Sequence, residues 1–312
     1  MDPLIIVFGL GVGILVGMTG IGGGSLMTPI LILVFGFKPI TAIGTDLAYG
    51  AVTKTVGGWR HLRQRTVNSS LSTWMAFGSV PAAVGGVYVL RAVERAAGHD
   101  FDDLLLTVLA GALLFTGAAV LARALLLRSF AEREELVLER RHKVGAVVLG
   151  LFVGFVLGVT SAGSGSLIAV GLIMFFRLAP RQVVGTDIFH AAILLWAAAI
   201  AHVVAGNVDF ALAGTILIGS IPGVWLGSHW SSLVPVGTLR TVLGVVLIGG
   251  GLGLLSKAGA AIPPVLIAGV PVVIGLIAGG PPLVRRLRER RDPTARLSVG
   301  PPAPPPVAAP ER

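Results

Sequence analysis

The stretch TGIGGGSLMTP, residues 19–29, interrupts one of the most apolar regions of the chain with four glycines, a serine, two threonines and a proline. A second break, TSAGSGSLIAV at residues 160–170, begins 141 positions later. The same offset, with no gap, pairs Gly44-Thr45-Asp46 with Gly185-Thr186-Asp187 and His61 with His202. It also pairs Gly78-Ser79-Val80-Pro81 with Gly219-Ser220-Ile221-Pro222. Between residues 9 and 86, 25 of 78 positions are identical, and the polar identities cannot come from a Gly/Ala/Val/Leu-rich composition. The chain is an internal duplication, and a repeat of this kind has to be read before any single helix.

Composition sets the class. Of 312 residues, 54% are hydrophobic and only 12% charged, and the mean hydropathy is +0.89. Long apolar runs between short charged segments identify an all-α polytopic membrane protein. Cysteine is absent, which excludes disulfides and thiolate metal sites, and the six histidines form no ligand cluster. No cofactor or metal is expected. The net charge of +9 is no sign of nucleic-acid binding, because the basic residues gather beside apolar spans. Three of the 24 Lys and Arg lie in 60–65, six in 123–143 and seven in 285–312. The positive-inside rule makes these three segments cytoplasmic. The N-terminal run MDPLIIVFGLGVGILVG carries Asp2 in place of a basic n-region, so it is expected to be retained rather than cleaved.

Apolar segments fall near 4–18, 25–37, 40–59, 68–90 and 104–127, then near 144–160, 166–178, 181–204, 210–228 and 236–256, with an extra one near 262–280. The expected organisation is repeat one at 1–127, a cytoplasmic linker at 128–143 and repeat two at 144–256. An extra transmembrane helix at 257–284 and a basic, Pro-rich, disordered cytoplasmic tail at 285–312 complete it. Five segments separate equivalent points, an odd number, so the two repeats are expected to have inverted topology. Loop charge agrees, since RHLRQR in repeat one corresponds to the neutral HVVAGNVDF in repeat two. Inverted repeats with broken helices are the signature of secondary transporters. Segments 25–37 and 166–178, at roughly 20 Å, are shorter than the roughly 30 Å hydrocarbon core. They read as half-helices or as arms of re-entrant hairpins.

Only Asp46 and Asp187, among 15 acidic residues, lie well inside apolar segments, and they are repeat equivalents. A charge at the bilayer centre costs about 2.5–3.5 kcal/mol on insertion scales, so it is paired, hydrated or functional. Lys54 lies two helical turns past Asp46, on the same face. His190 follows Asp187 by three residues and has the spacing for a proton relay, although Tyr49 replaces it in repeat one. His61 and His202 fall at expected membrane edges. Each glycine motif precedes a short helix, whose N-terminus offers unpaired N–H groups and a positive dipole end. Glycine lets backbone approach an anion, and Ser or Thr adds neutral donors. The candidate anion-binding set is therefore Thr19, Gly22, Gly23, Gly24, Ser25, Thr160, Gly163, Ser164, Gly165 and Ser166. Asp46 and Asp187, with Thr45, Thr186, His190 and Lys54, would orient those loops or take up a coupling proton or cation. The bland alternative is that the small residues only let helices pack closely.

The paired motifs, Gly22-Gly23-Gly24-Ser25 with Pro29 and Gly44-Thr45-Asp46, resemble those of the sulfite exporter TauE/SafE family. Gly163-Ser164-Gly165-Ser166 and Gly185-Thr186-Asp187 look like that family's second half, and the resemblance covers about residues 1–256. Ser164 departs from a plain triple glycine. The resemblance implies a membrane transporter or permease, not an enzyme, for sulfite, a sulfonate or another small organosulfur anion. The expected setting is the bacterial cytoplasmic membrane, with the C-terminus inside and homo-oligomerisation left open. Two rival readings differ in class. One is an intramembrane serine hydrolase pairing Ser164 with His190 or His202. The other is a membrane scaffold or sensor acting through the basic tail.

Overall fold

The structure is a computed structural model and describes residues 3–19, 24–125, 138–230 and 236–275. Gly22, Gly23, most of the central linker and the basic, Pro-rich tail lie outside the described residues. The first half forms α1 (Pro3–Thr19), α2 (Gly24–Leu33), α3 (Pro39–Arg63), α4 (Ser69–Ala97) and α5 (Phe101–Leu125). The second forms α6 (Arg140–Thr160), α7 (Leu167–Phe176), α8 (Pro180–Val204), α9 (Phe210–Trp230) and α10 (Val236–Lys257), followed by α11 (Pro264–Gly275).

The helix ends are written into the sequence, and in matching places. Pro39 and Pro180 open α3 and α8 at the position where a missing N–H costs nothing. Asn68 and Asp209 cap α4 and α9 by accepting the N–H of Leu71 and Leu212, three residues on, at 3.0 and 2.9 Å. Gly98, at φ +56°, ends α4.

Among the described residues, five helical stretches are long and apolar enough to cross a membrane: Ser69–Ala122, which covers α4 and most of α5, and Arg140–Thr160, Pro180–Val204, Phe210–Trp230 and Gly237–Lys257. Alongside them, α2 and α7 are each only 10 residues, about 15 Å. Both belong to hairpins. Phe8 of α1 meets Phe35 just beyond α2 with ring centres 5.3 Å apart, and His142 of α6 meets Phe176 of α7 at 6.3 Å. The 161–166 motif therefore sits at the closed end of an antiparallel helix pair, and Ser25 lies in the first turn of α2.

Glycine governs the closest crossings. Gly9, Gly13 and Gly17 on α1 lie against the backbone of Ile216, Ser220 and Val224 on α9. Gly150, Gly154 and Gly158 on α6 lie against Met75, Ser79 and Ala83 on α4. Adding 141 to every α1 residue, and subtracting it from every α9 residue, converts the first crossing into the second. A Cβ at these glycines would strike partner backbone, so spacing of small residues every four positions sets the approach.

Equivalent helices also pack on each other. In the α3/α8 pair Gly50 meets Leu195 and Gly57 meets Ile188, so the two run antiparallel. In the α5/α10 pair Leu121 meets Gly244 and Ala110 meets Gly251, again antiparallel. Thr55 accepts the Trp196 indole N–H at 2.8 Å, and Thr55 and Trp196 are repeat equivalents, as are Ala110 and Gly251.

Candidate functional site

The Gly-Thr-Asp motifs do three separate jobs. Gly44 and Gly185 leave room for the carbonyl groups of Asn207 and Thr66, in the loops that lead into α9 and α4. The next residue secures those loops: Thr45 Oγ1 accepts the Asp209 N–H at 3.0 Å, and Thr186 Oγ1 accepts the Asn68 N–H at 2.9 Å. Each threonine thus holds the start of a helix in the other half of the chain. The aspartates lie on the buried faces of α3 and α8.

At Asp46 the two halves of the chain meet. Its Oδ2 accepts the Thr28 hydroxyl of α2 at 2.6 Å and the Ser161 hydroxyl at 2.9 Å. Thr28 Oγ1 and Ser161 Oγ are themselves only 2.7 Å apart. Asp46 Oδ1 is buried and has no hydrogen-bond partner. Close by, the Gly163 N–H donates to the Ser25 hydroxyl at 3.2 Å, so the two glycine motifs touch.

Residues 161–166 form an irregular turn between α6 and α7. Ser161, Gly163 and Gly165 have φ of +56°, +101° and +95°, while the residues between them do not have positive φ. Within it the N–H groups of Ser161, Ala162, Gly163 and Ser166 already donate to protein acceptors. Serine at a left-handed position costs roughly 1–2 kcal/mol that glycine would not, and Gly20 holds this place in repeat one. The bond from Ser161 to Asp46 accounts for the exception. Within the turn, Ser164 and Ser166 are each 1% exposed, and their hydroxyls have no hydrogen-bond partner among the described residues. Thr160 serves the turn itself, donating to the Val156 carbonyl at 2.6 Å and accepting the Ala162 N–H at 3.2 Å. Gly24 opens α2, and the Thr19 side chain lies outside the described residues.

The remaining candidates do not gather here. Lys54 is buried and its Nζ has no hydrogen-bond partner. The charge it feels is that of Asp187, not Asp46 on its own helix, because antiparallel packing brings the middle of α3 level with the start of α8. His190 lies between two α4 serines, with Nδ1 3.4 Å from Ser72 and Nε2 3.1 Å from Ser79. Its repeat equivalent Tyr49 sits beside Ser220, the equivalent of Ser79. His202, in the last turn of α8, is buried within the protein, with Nε2 3.0 Å from the Gly158 carbonyl and Nδ1 3.2 Å from the Asn207 amide. Neither histidine reaches Ser164, so the hydrolase dyad is not assembled.

Thr28, Ser161, Ser72 and Ser79 were not singled out by sequence. A search for residues shared by both halves passes over them at the Asp46 corner, since the equivalents of Thr28 and Ser161 are Ala169 and Gly20. The one available signal was the mismatch itself, two hydroxyls in apolar helix ends.

Among curated proteins, a probable membrane transporter of Bacillus subtilis, YjnA, is 38% identical over 256 residues, 82% of this chain and 100% of its own length. A second from that organism, YdhB, is 29% identical over 231 residues, 74% of this chain and 91% of its own. A probable membrane transporter of Methanocaldococcus jannaschii is 28% identical over 173 residues, 53% and 59% of the two chains. No solved structure matches. The model of the sulfite exporter TauE/SafE family matches residues 5–254, from the first described turn of α1 almost to the end of α10. The chain belongs to that family, as an integral membrane transporter and not an enzyme.

Proposed function

We propose that this transporter carries a small anion, sulfite or another sulfur oxyanion or organosulfonate, by alternating access between two inverted repeats. One observation carries the reading. A buried turn of alternating handedness presents the unpartnered hydroxyls of Ser164 and Ser166 at the start of a half-length helix. Neutral donors and a helix dipole suit a tetrahedral or pyramidal oxyanion, and they desolvate it without the cost of a buried counter-charge. Opposite directions of α3 and α8, and of α5 and α10, support inversion of the repeats. The cytoplasmic membrane, with linker and tail inside, follows from the charge bias of those segments.

Asp46 is the coupling residue in this reading. Thr28 Oγ1, Ser161 Oγ and Asp46 Oδ2 make three short contacts with one another, and two hydroxyls supply only two hydrogens. A proton on Oδ2 supplies the third by reversing one of the two hydroxyl bonds, so that the carboxyl donates to Thr28, Thr28 to Ser161 and Ser161 back to Oδ2. Releasing that proton would break the ring that joins α2 to the 161–166 turn, and so would link proton movement to the two halves of the cradle.

The test is flux in proteoliposomes over sulfite, sulfate, thiosulfate and a short sulfonate, with and without a proton gradient. Saturable flux of at least one sulfur anion, changed by the gradient, supports the proposal. Flux of cations or neutral solutes alone would reject it.

A further inference from the structure

We propose that the second half binds an anionic phospholipid in a groove between α5, α6 and α7. The groove has a volume of about 920 Å³, within the roughly 300–1,000 Å³ of small-molecule sites. Its walls are apolar, and Phe115, Phe152, Met174 and Phe175 are exposed on them. At the end where α6 begins and α7 finishes, the lining changes to Arg141, His142 and Arg177.

The duplication shows why the groove is open. In the first half the corresponding space is closed: Pro29 seats on Gly250, Leu33 seats on Gly253, and Lys257 Nζ donates to the Ile32 carbonyl at 2.7 Å. The positions 141 earlier than Gly250, Gly253 and Lys257 are Leu109, Ala112 and Thr116. Two glycines become larger residues and the tethering lysine becomes a short threonine, so α7 stands away from α5. Val170 and Met174, the equivalents of Pro29 and Leu33, line the groove instead of filling a glycine notch.

Charge and shape together select the occupant. An apolar, bilayer-facing wall takes an acyl chain, and a cationic mouth takes a phosphate. Guanidinium groups grip phosphate through paired N–H donors. Glu139 holds the Nε of Arg141 at 2.7 Å, and Arg177 leaves the mouth net positive. Inorganic phosphate shares the headgroup chemistry but would leave the apolar wall unused, so the lipid is the occupant.

The full-length protein would be delipidated in detergent and offered phosphatidylglycerol or phosphatidylcholine, and retained lipid would be counted by native mass spectrometry. The expected result is one phosphatidylglycerol per chain, held at least tenfold better than phosphatidylcholine and not displaced by millimolar inorganic phosphate. The exposed double variant Arg141→Gln/Arg177→Gln should lose the preference with an unchanged melting midpoint in detergent. Val170→Trp should exclude both lipids, and if it fails to fold the double variant decides alone. Equal retention of the two lipids by the wild type overturns the proposal. So does a preference that survives the double variant, or displacement by inorganic phosphate.

Discussion

Asp46 and Asp187 occupy equivalent places in the two halves, but the two residues whose hydroxyls close a ring on Asp46 have no hydroxyl-bearing equivalents in the other half. Around Asp46, Thr28 and Ser161 close the ring, whereas the same offsets around Asp187 give Ala169 and Gly20. The frame is shared: glycine crossings, proline starts, and threonines that each hold a helix start in the other half. Duplication has preserved what positions the helices and has differentiated what they carry. A device needing one proton site and one anion site gains from that asymmetry, because two identical aspartates would be ionised or neutral together.

The comparison breaks most severely at the frame. Gly13→Leu and Gly154→Leu are equivalent changes, each forcing a side chain against Ser220 or Ser79 backbone. Overpacking that neither helix can relieve should cost about 3 kcal/mol or more. Both variants should lose monodisperse folded protein on gel filtration, and loss in only one would show that the crossings are not energetically alike. Next comes Asp46, the coupling residue of the proposal above. Asp46→Asn should abolish the response of anion flux to a proton gradient while the protein still folds, and Asp187→Asn should retain it. The opposite pattern, read in the same proteoliposomes, would reverse the assignment.

Smaller effects sharpen the contrast. Thr28→Val removes one donor to a buried carboxyl and should destabilise by about 1–3 kcal/mol in thermal or denaturant unfolding. At Ala169, its equivalent, serine should change stability by less than about 1 kcal/mol. Lys54→Leu copies the second repeat, which has Leu195. Removing a buried ammonium without a hydrogen-bond partner should leave stability unchanged or raise it by about 1 kcal/mol. A clear loss of stability would mean that attraction to Asp187 outweighs burial.

Much of the architecture was legible because duplication and hydropathy are properties of the sequence itself. Every apolar segment read from the chain has a helix at its place, and the two short ones are the 10-residue α2 and α7. The hairpins were left open, since length alone does not distinguish a half-crossing that continues from one that turns back. Aromatic contacts at their open ends show that they turn back. The site was legible only where both halves agree. Ser25 and Gly163 were found and do touch. Thr28 and Ser161 were missed because they exist in one half each, and the Lys54 environment depends on the antiparallel register of α3 and α8, which no spacing along one helix encodes. The hydroxyl contacts of Thr45 and Thr186, with Asp209 and Asn68, lie more than 100 residues away in sequence, so no local spacing encodes them.

The central claim is that an anion sits where the Ser25 and Ser166 helix starts meet the 161–166 turn. Calorimetric titration of sulfite into purified wild-type protein and into the Ser25→Leu/Ser166→Leu double variant tests it most directly. Saturable binding by the wild type, abolished in a variant that remains folded, is the predicted result; unchanged affinity in the double variant would contradict the account.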